Sequence, residues 1–118
     1  MSTNAIIKVE GLKCVLYKHW DGYPQATLQW LKDFNKDFAE NRKNDPNYKF
    51  AQLIRSSARD AEKYGLDQSI HTGWGVYESM DDITGQEFVY TLKNDGSVVY
   101  KSYEEKYSGG IKWLTQLQ

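Results

Sequence analysis

The stretch Tyr17-Lys18-His19-Trp20-Asp21-Gly22-Tyr23-Pro24 gathers an imidazole, an indole, a carboxylate and a phenol where an apolar run ends and a proline follows. The chain has two histidines, His19 and His71, each close to glycine and aromatic residues. Two imidazoles facing a phosphodiester act as general base and general acid without metal, if their pKa values straddle neutrality. In that reading His19 and His71 are the catalytic pair, and Thr72, Tyr23 and Lys18 hold the phosphate. The His-x-Thr pairs typical of two-histidine phosphoesterases are absent, because His71 is followed directly by Thr72 and His19 has no Thr or Ser two places on. A metal site on His19, Asp21 and His71 would draw on Asp81 or Asp82 for a fourth ligand, and the spacing matches no recognised zinc pattern. Neither a metal nor a cofactor is expected, since glycine-rich phosphate loops and a nucleophile elbow are absent from the sequence as well.

Binding without chemistry asks less of the same residues. Trp20, Tyr23 and Trp74 offer faces on which a base can stack, a helix opening at Pro24 presents free N–H groups to a phosphate, and His19 and Asp21 can fix a ribose or an exocyclic amine. With Thr72 these form the expected ligand-binding set: His19, Trp20, Asp21, Tyr23, Thr72 and Trp74. The competing structural reading has Asp21 closing a turn through its own backbone, His19 capping a strand and Trp20 filling core.

The elements that must position this corner follow from periodicity. Ala5 to Glu10 and Leu12 to Lys18 read as strands around a turn at Gly11, with Leu12, Cys14 and Leu16 on one face and Val15, Tyr17 and His19 on the other. Pro24 suits the first position of a helix to about Glu40, burying Leu28, Leu31, Phe34 and Phe38. Asp45-Pro46 caps and opens a second helix carrying Phe50, Leu53, Ile54, Ser57, Ala58, Ala61 and Tyr64, with Gly65 as its left-handed stop and Leu66 folding back. Arg55 and Arg59, four residues apart on its other side, read as a solvated face rather than a ligand clamp. Ile70 to Tyr77 approaches a third strand, Met80 to Gln86 is a polar loop, and Glu87 to Lys93 alternates cleanly before an Asn94-Asp95-Gly96 hairpin turn into Ser97 to Tyr103. After Gly109-Gly110, Ile111, Leu114 and Leu117 suit a short amphipathic turn or a partner-binding segment. The order ββααβββ predicts an α+β fold, an antiparallel sheet of about five strands with two helices packed on one face.

At 118 residues this is one domain. Fifteen Lys and Arg against sixteen Asp and Glu give a net charge of -1, which supplies no long-range field for generic nucleic-acid binding. No apolar run approaches a membrane span, and Met1-Ser2-Thr3-Asn4 lacks the character of a signal peptide, so a cytoplasmic protein without a membrane partner is expected. The lone Cys14 allows no internal disulfide and reads as a small buried hydrophobe. Nine Tyr, four Trp and four Phe in a domain this small predict aromatic surface that association would cover, hence a homo-oligomer.

With its His19-Trp20-Asp21-Gly22-Tyr23-Pro24 corner between an apolar strand and a helix, followed by a second helix and an Asp95-Gly96 hairpin, the chain resembles a loose group of small, mostly uncharacterised bacteriophage and prophage proteins. The resemblance spans most of Leu12 to Tyr103. Many members carry Glu after the proline, where this chain has Gln25, so no role for a carboxylate carries over there. The resemblance implies a phage setting, in a host cell cytoplasm where small proteins often block host defences, and implies no particular reaction. Three functions are therefore expected in turn: a counter-defence protein that sequesters a nucleotide-derived ligand or signal, a metal-independent phosphodiesterase acting on a cyclic nucleotide, and an inhibitor that docks on a host defence protein without any small ligand.

Overall fold

The protein is represented by a computed structural model that describes residues 3–42, 45–63, 72–83, 85–105 and 111–117; residues 60–63, 104–105 and 111–117 are described by their backbone path alone. The chain forms β1 (Ala5–Val9), β2 (Val15–Lys18), α1 (Pro24–Asn41), α2 (Pro46–Lys63), β3 (Trp74–Tyr77), a 3-10 turn (Met80–Asp82), β4 (Phe88–Leu92), β5 (Val98–Glu105) and β6 (Ile111–Leu117). The strands make one six-stranded sheet in the order β3-β2-β1-β4-β5-β6.

The α+β class and the placement of both helices on one face are as expected. Ala5, Ile7 and Val9 of β1, Leu16 of β2, Tyr90 and Leu92 of β4 and Val98 of β5 form a core with Leu31 of α1 and with Phe50 and Leu53 of α2. The opposite face carries a smaller cluster of Ile6, Val15 and Val89, on which Met80 and Ile83 of the β3–β4 connection pack. Strand β1 is apolar on both faces because it lies between the two clusters, and the unbroken run Ala5-Ile6-Ile7 is fully buried.

Two particulars depart from the antiparallel five-strand reading. The central pair β1 and β4 is parallel, with Ala5 opposite Phe88 and Val9 opposite Leu92, while every other neighbouring pair is antiparallel. The cause is the path taken after β3: the chain crosses beneath β2 and β1 to reach the far side of β1, and Met80 and Ile83 are the apolar residues of that crossing. The second departure is at the end of the chain, where Ile111–Leu117 is an edge strand against β5 rather than an amphipathic turn. Within α2 the buried stripe is narrower than the apolar spacing implied, because Ile54 and Ala58 are exposed beside buried Phe50, Leu53 and Ser57. The expected stop at Gly65 and Leu66, with Tyr64, lies outside the described residues.

At the Glu10 end of β1 a polar lock ties the helices to the β4–β5 hairpin. Asn35 of α1 is fully buried and its Nδ2 donates to the carbonyls of Lys93 (2.9 Å) and Ser97 (2.8 Å). Lys49 of α2, itself buried, donates from Nζ to Asn35 Oδ1 at 2.7 Å. Glu10 accepts from the Asn94 amide at 2.7 Å and from Lys93 Nζ at 3.2 Å, so its carboxyl is held below the usual carboxylate range, chiefly by the backbone bond. Asp45 caps α2 as expected, accepting from the Tyr48 amide at 3.3 Å.

Candidate functional site

The chain leaves β2 at Lys18, and the next residues are fastened to their neighbours through the main chain. The His19 amide donates to the Gly73 carbonyl at 2.8 Å, and the Gly22 amide donates to the Thr3 carbonyl at 2.8 Å. Tyr90 Oη, fully buried, donates to the Gly22 carbonyl at 2.6 Å, and Thr27 Oγ1, buried in the first turns of α1, donates to the Asp21 carbonyl at 2.7 Å. Burial lifts the Tyr90 phenol far above the ordinary tyrosine value, which keeps its proton available for that bond. Asp21 takes a left-handed conformation (φ +55°), the backbone turn that redirects the strand into the helix and that Asp tolerates better than most side chains. Gly22 has no room for a side chain: a Cβ there would lie 2.7 Å from Ala5 Cβ and 2.7 Å from the Asn4 carbonyl carbon.

The side chains of the corner turn outward from this fixed backbone. Trp20 is 43% exposed and Tyr23 38% exposed, so Trp20 does not fill core as the structural reading required. Trp20 crosses Gly73, where a Cβ would come within 2.5 Å of the indole. The His19 ring meets Trp20 edge-on at 5.2 Å, and its Nδ1 shares a 2.7 Å hydrogen bond with Tyr17 Oη whose direction follows the imidazole tautomer. Burial raises the Tyr17 phenol above its ordinary value, and Tyr77 of β3 stands edge-on to it at 5.8 Å. The side chains of Tyr17, His19 and Tyr77 therefore line up on the helix-free face, as the strand alternation predicts.

Of the remaining expected residues, Thr72 is partly buried next to Gly73. Trp74 belongs to the other face: its register partner is Lys18, whose Nζ lies 4.8 Å over the Trp74 ring, and it meets Trp30 of α1 edge-on at 5.8 Å. The structure thus sets the His19 and Trp20 rings against each other, leaves Tyr23 exposed three residues on, and sends Trp74 toward the helices. His71 lies outside the described residues. Asp81 and Asp82 sit in the 3-10 turn, where they share a recess with Lys13 and Cys14 before the start of β2. His19 follows Cys14 by five residues along the strand, about 16 Å at the usual rise, so those carboxylates are not gathered with it. Among the described residues no three His, Cys, Asp or Glu side chains cluster as metal ligands would.

The strand alternation gives the faces of Tyr17 and Tyr90 but not their bonds to His19 and Gly22, and nothing in the sequence singles out Thr27, which with Tyr90 holds the corner from beneath. A buried tyrosine must find a partner for its hydroxyl, so Tyr90 on the core face of β4 was a signal of a long-range bond without an address. Comparisons of the chain with known protein families, with curated proteins and with solved structures find no match. Among the described residues no helix is long and apolar enough to cross a membrane.

Proposed function

We propose that this is a binding protein that sequesters a nucleotide-derived ligand at the His19 to Tyr23 corner, in the manner of a phage counter-defence protein acting in its host's cytoplasm. One observation carries the reading: the corner's backbone is fixed by buried partners while Trp20 and Tyr23 are left at the surface beside an oriented imidazole. Aromatic faces held rigidly bind flat ligands at a low entropic cost, because little further ordering is required. Binding is preferred to catalysis because it asks of His19 only an oriented hydrogen-bonding group, which the Tyr17 bond at Nδ1 supplies, and needs no second acid–base partner. The bound molecule would stack on Trp20 or Tyr23 and take hydrogen bonds from His19, with Asp21 as acceptor for a hydroxyl or an amine.

Incubating the protein with a panel of cyclic and NAD-derived nucleotides, desalting it and then heating it tests this directly. A sequestering protein returns its ligand chemically intact. Release of cleavage products instead establishes the phosphodiesterase, and retention of no nucleotide leaves the inhibitor that docks on a host defence protein.

A further inference from the structure

A second recess, of about 730 Å3, lies between α1 and α2, and its lining among the described residues comes from those two helices. The Trp30 Nε1–H donates to Ser56 Oγ at 2.8 Å across the helix pair, and Trp74 stands edge-on to the same indole. Trp30 is thereby a fixed platform at one end. Phe34 continues the aromatic wall and stacks on Phe38 at the other end, with ring centroids 6.3 Å apart. Arg55 and Arg59 flank Ser56 on α2, one turn apart, and Asp33 and Asp37 line the α1 side. The carboxylates already have neighbours on their own helix, Asp33 through Gln29 at 2.9 Å and Asp37 through Asn41 at 2.9 Å. Neither Arg55 nor Arg59 makes a hydrogen bond or ion pair among the described residues, although both share the recess with those carboxylates.

From this arrangement we infer that the interhelical recess is a binding site for a nucleoside monophosphate whose base carries an exocyclic amine. Its recess volume lies in the range of small-ligand sites. Two guanidiniums at i and i+4, neither in an ion pair among the described residues, form a fork suited to a phosphate, which each can grip through paired N–H groups. Trp30 and Phe34 supply a stacking wall for the base, and stacking of that kind is tolerant of base identity. Asp33 and Asp37 make the selection: they repel a second anion and accept from an amine, so the phosphate belongs at the arginine side and the amino-bearing edge of the base at the aspartate side. This site uses none of the corner residues and stands whether or not the corner binds.

The test is titration with AMP and with IMP, which differ at the base by amine against carbonyl, following the Trp30 indole N–H resonance of the full-length protein. AMP is expected to shift that resonance and to bind at least tenfold more tightly than IMP. The double variant Arg55→Gln/Arg59→Gln, at two exposed positions where the fold is indifferent, is expected to lose at least tenfold in AMP affinity, and Asp33→Asn/Asp37→Asn to lose the preference over IMP. His19→Ala is expected to leave AMP binding at this resonance unchanged. Absence of an AMP-dependent shift, or AMP affinity retained in the double arginine variant, overturns the inference. Loss of AMP binding in His19→Ala with retention in Arg55→Gln/Arg59→Gln overturns it too, and assigns the nucleotide to the corner instead.

Discussion

The two ends of β1 use polar groups in opposite ways. At the Glu10 end, side chains face one another: Asn35, Lys49, Glu10 and Lys93 direct their hydrogen bonds to the hairpin and to each other. At the Ala5 end it is the main chain that is fastened, because the Asp21 and Gly22 carbonyls and the Gly22 amide are taken by Thr27, Tyr90 and Thr3 while the Trp20 and Tyr23 side chains remain exposed. The first pattern is what a fold needs in order to join two helices to a hairpin. The second fixes a scaffold and leaves aromatic chemistry at its surface, which is what a recognition site needs.

That contrast predicts where substitutions hurt. Asn35→Leu should be the most damaging substitution, because it removes two N–H donors from the Lys93 and Ser97 carbonyls and the nearer of two acceptors of the buried Lys49 ammonium, leaving it only the Lys93 carbonyl at 3.4 Å. A cost of about 3 kcal/mol is expected from those unsatisfied groups, a fall in Tm of about 10 °C in thermal denaturation. If Asn35→Leu melted no lower than Trp20→Ala, the distinction between lock and corner would collapse. Next in size is Gly22→Ala, which forces a methyl against Ala5 and the Asn4 backbone. It should cost about 2 kcal/mol, as overpacking in a fixed setting does, and it should disturb the corner where an exposed substitution would not. Equal stability of this variant in chemical denaturation would show that the backbone there is free to shift.

The smallest of these effects is a pH dependence. Burial lowers the pKa of Lys49 below the ordinary 10.5, so in the window between its folded value and 10.5 the unfolded chain holds more protons than the folded one. Stability contributed by this residue therefore rises with pH across that window, and its penalty is fully present below it. Tyr17, Tyr90 and Tyr103 act in the other direction, since their raised folded values make stability fall as pH climbs past 10. The tyrosines are shared by the parent and by Lys49→Met, so the difference in stability between the two chains should move in favour of the parent as pH rises toward 10.5. A difference that stays flat with pH would place the ammonium in contact with water.

Much of this architecture is legible from local pattern. Pro24 and Asp45-Pro46 mark where α1 and α2 begin, the alternation Phe88, Tyr90, Leu92 gives the core face of β4, and the Tyr17 and His19 spacing puts both rings on one side of β2. What escapes is whatever depends on partners distant in sequence. The parallel pairing of β1 with β4 joins residues more than eighty apart and leaves no local trace beyond the apolar run Ala5-Ile6-Ile7, which fits a strand buried on both faces without naming its neighbour. Asn35 and Lys49 are read by composition as surface residues, and only the hairpin carbonyls above them explain their burial. Residue type alone groups Trp74 with Trp20, yet strand register assigns it to the helix side. The corner itself was recognisable from its residue types, whereas the buried Thr27 and Tyr90 that hold it were not.

The central claim, that the corner is a recognition site on a fixed scaffold, is tested most directly by measuring melting and nucleotide binding together on His19→Ala and Asp21→Asn. Both variants should melt within a few degrees of the parent, since asparagine tolerates the left-handed turn and the partly exposed imidazole holds no core contact that a methyl abandons. Both should bind the ligand retained from the nucleotide panel more weakly by about 1 to 3 kcal/mol, the usual loss for a hydrogen bond to a charged group. Unchanged binding in both variants would contradict the account and leave this stretch as a structural joint between strand and helix.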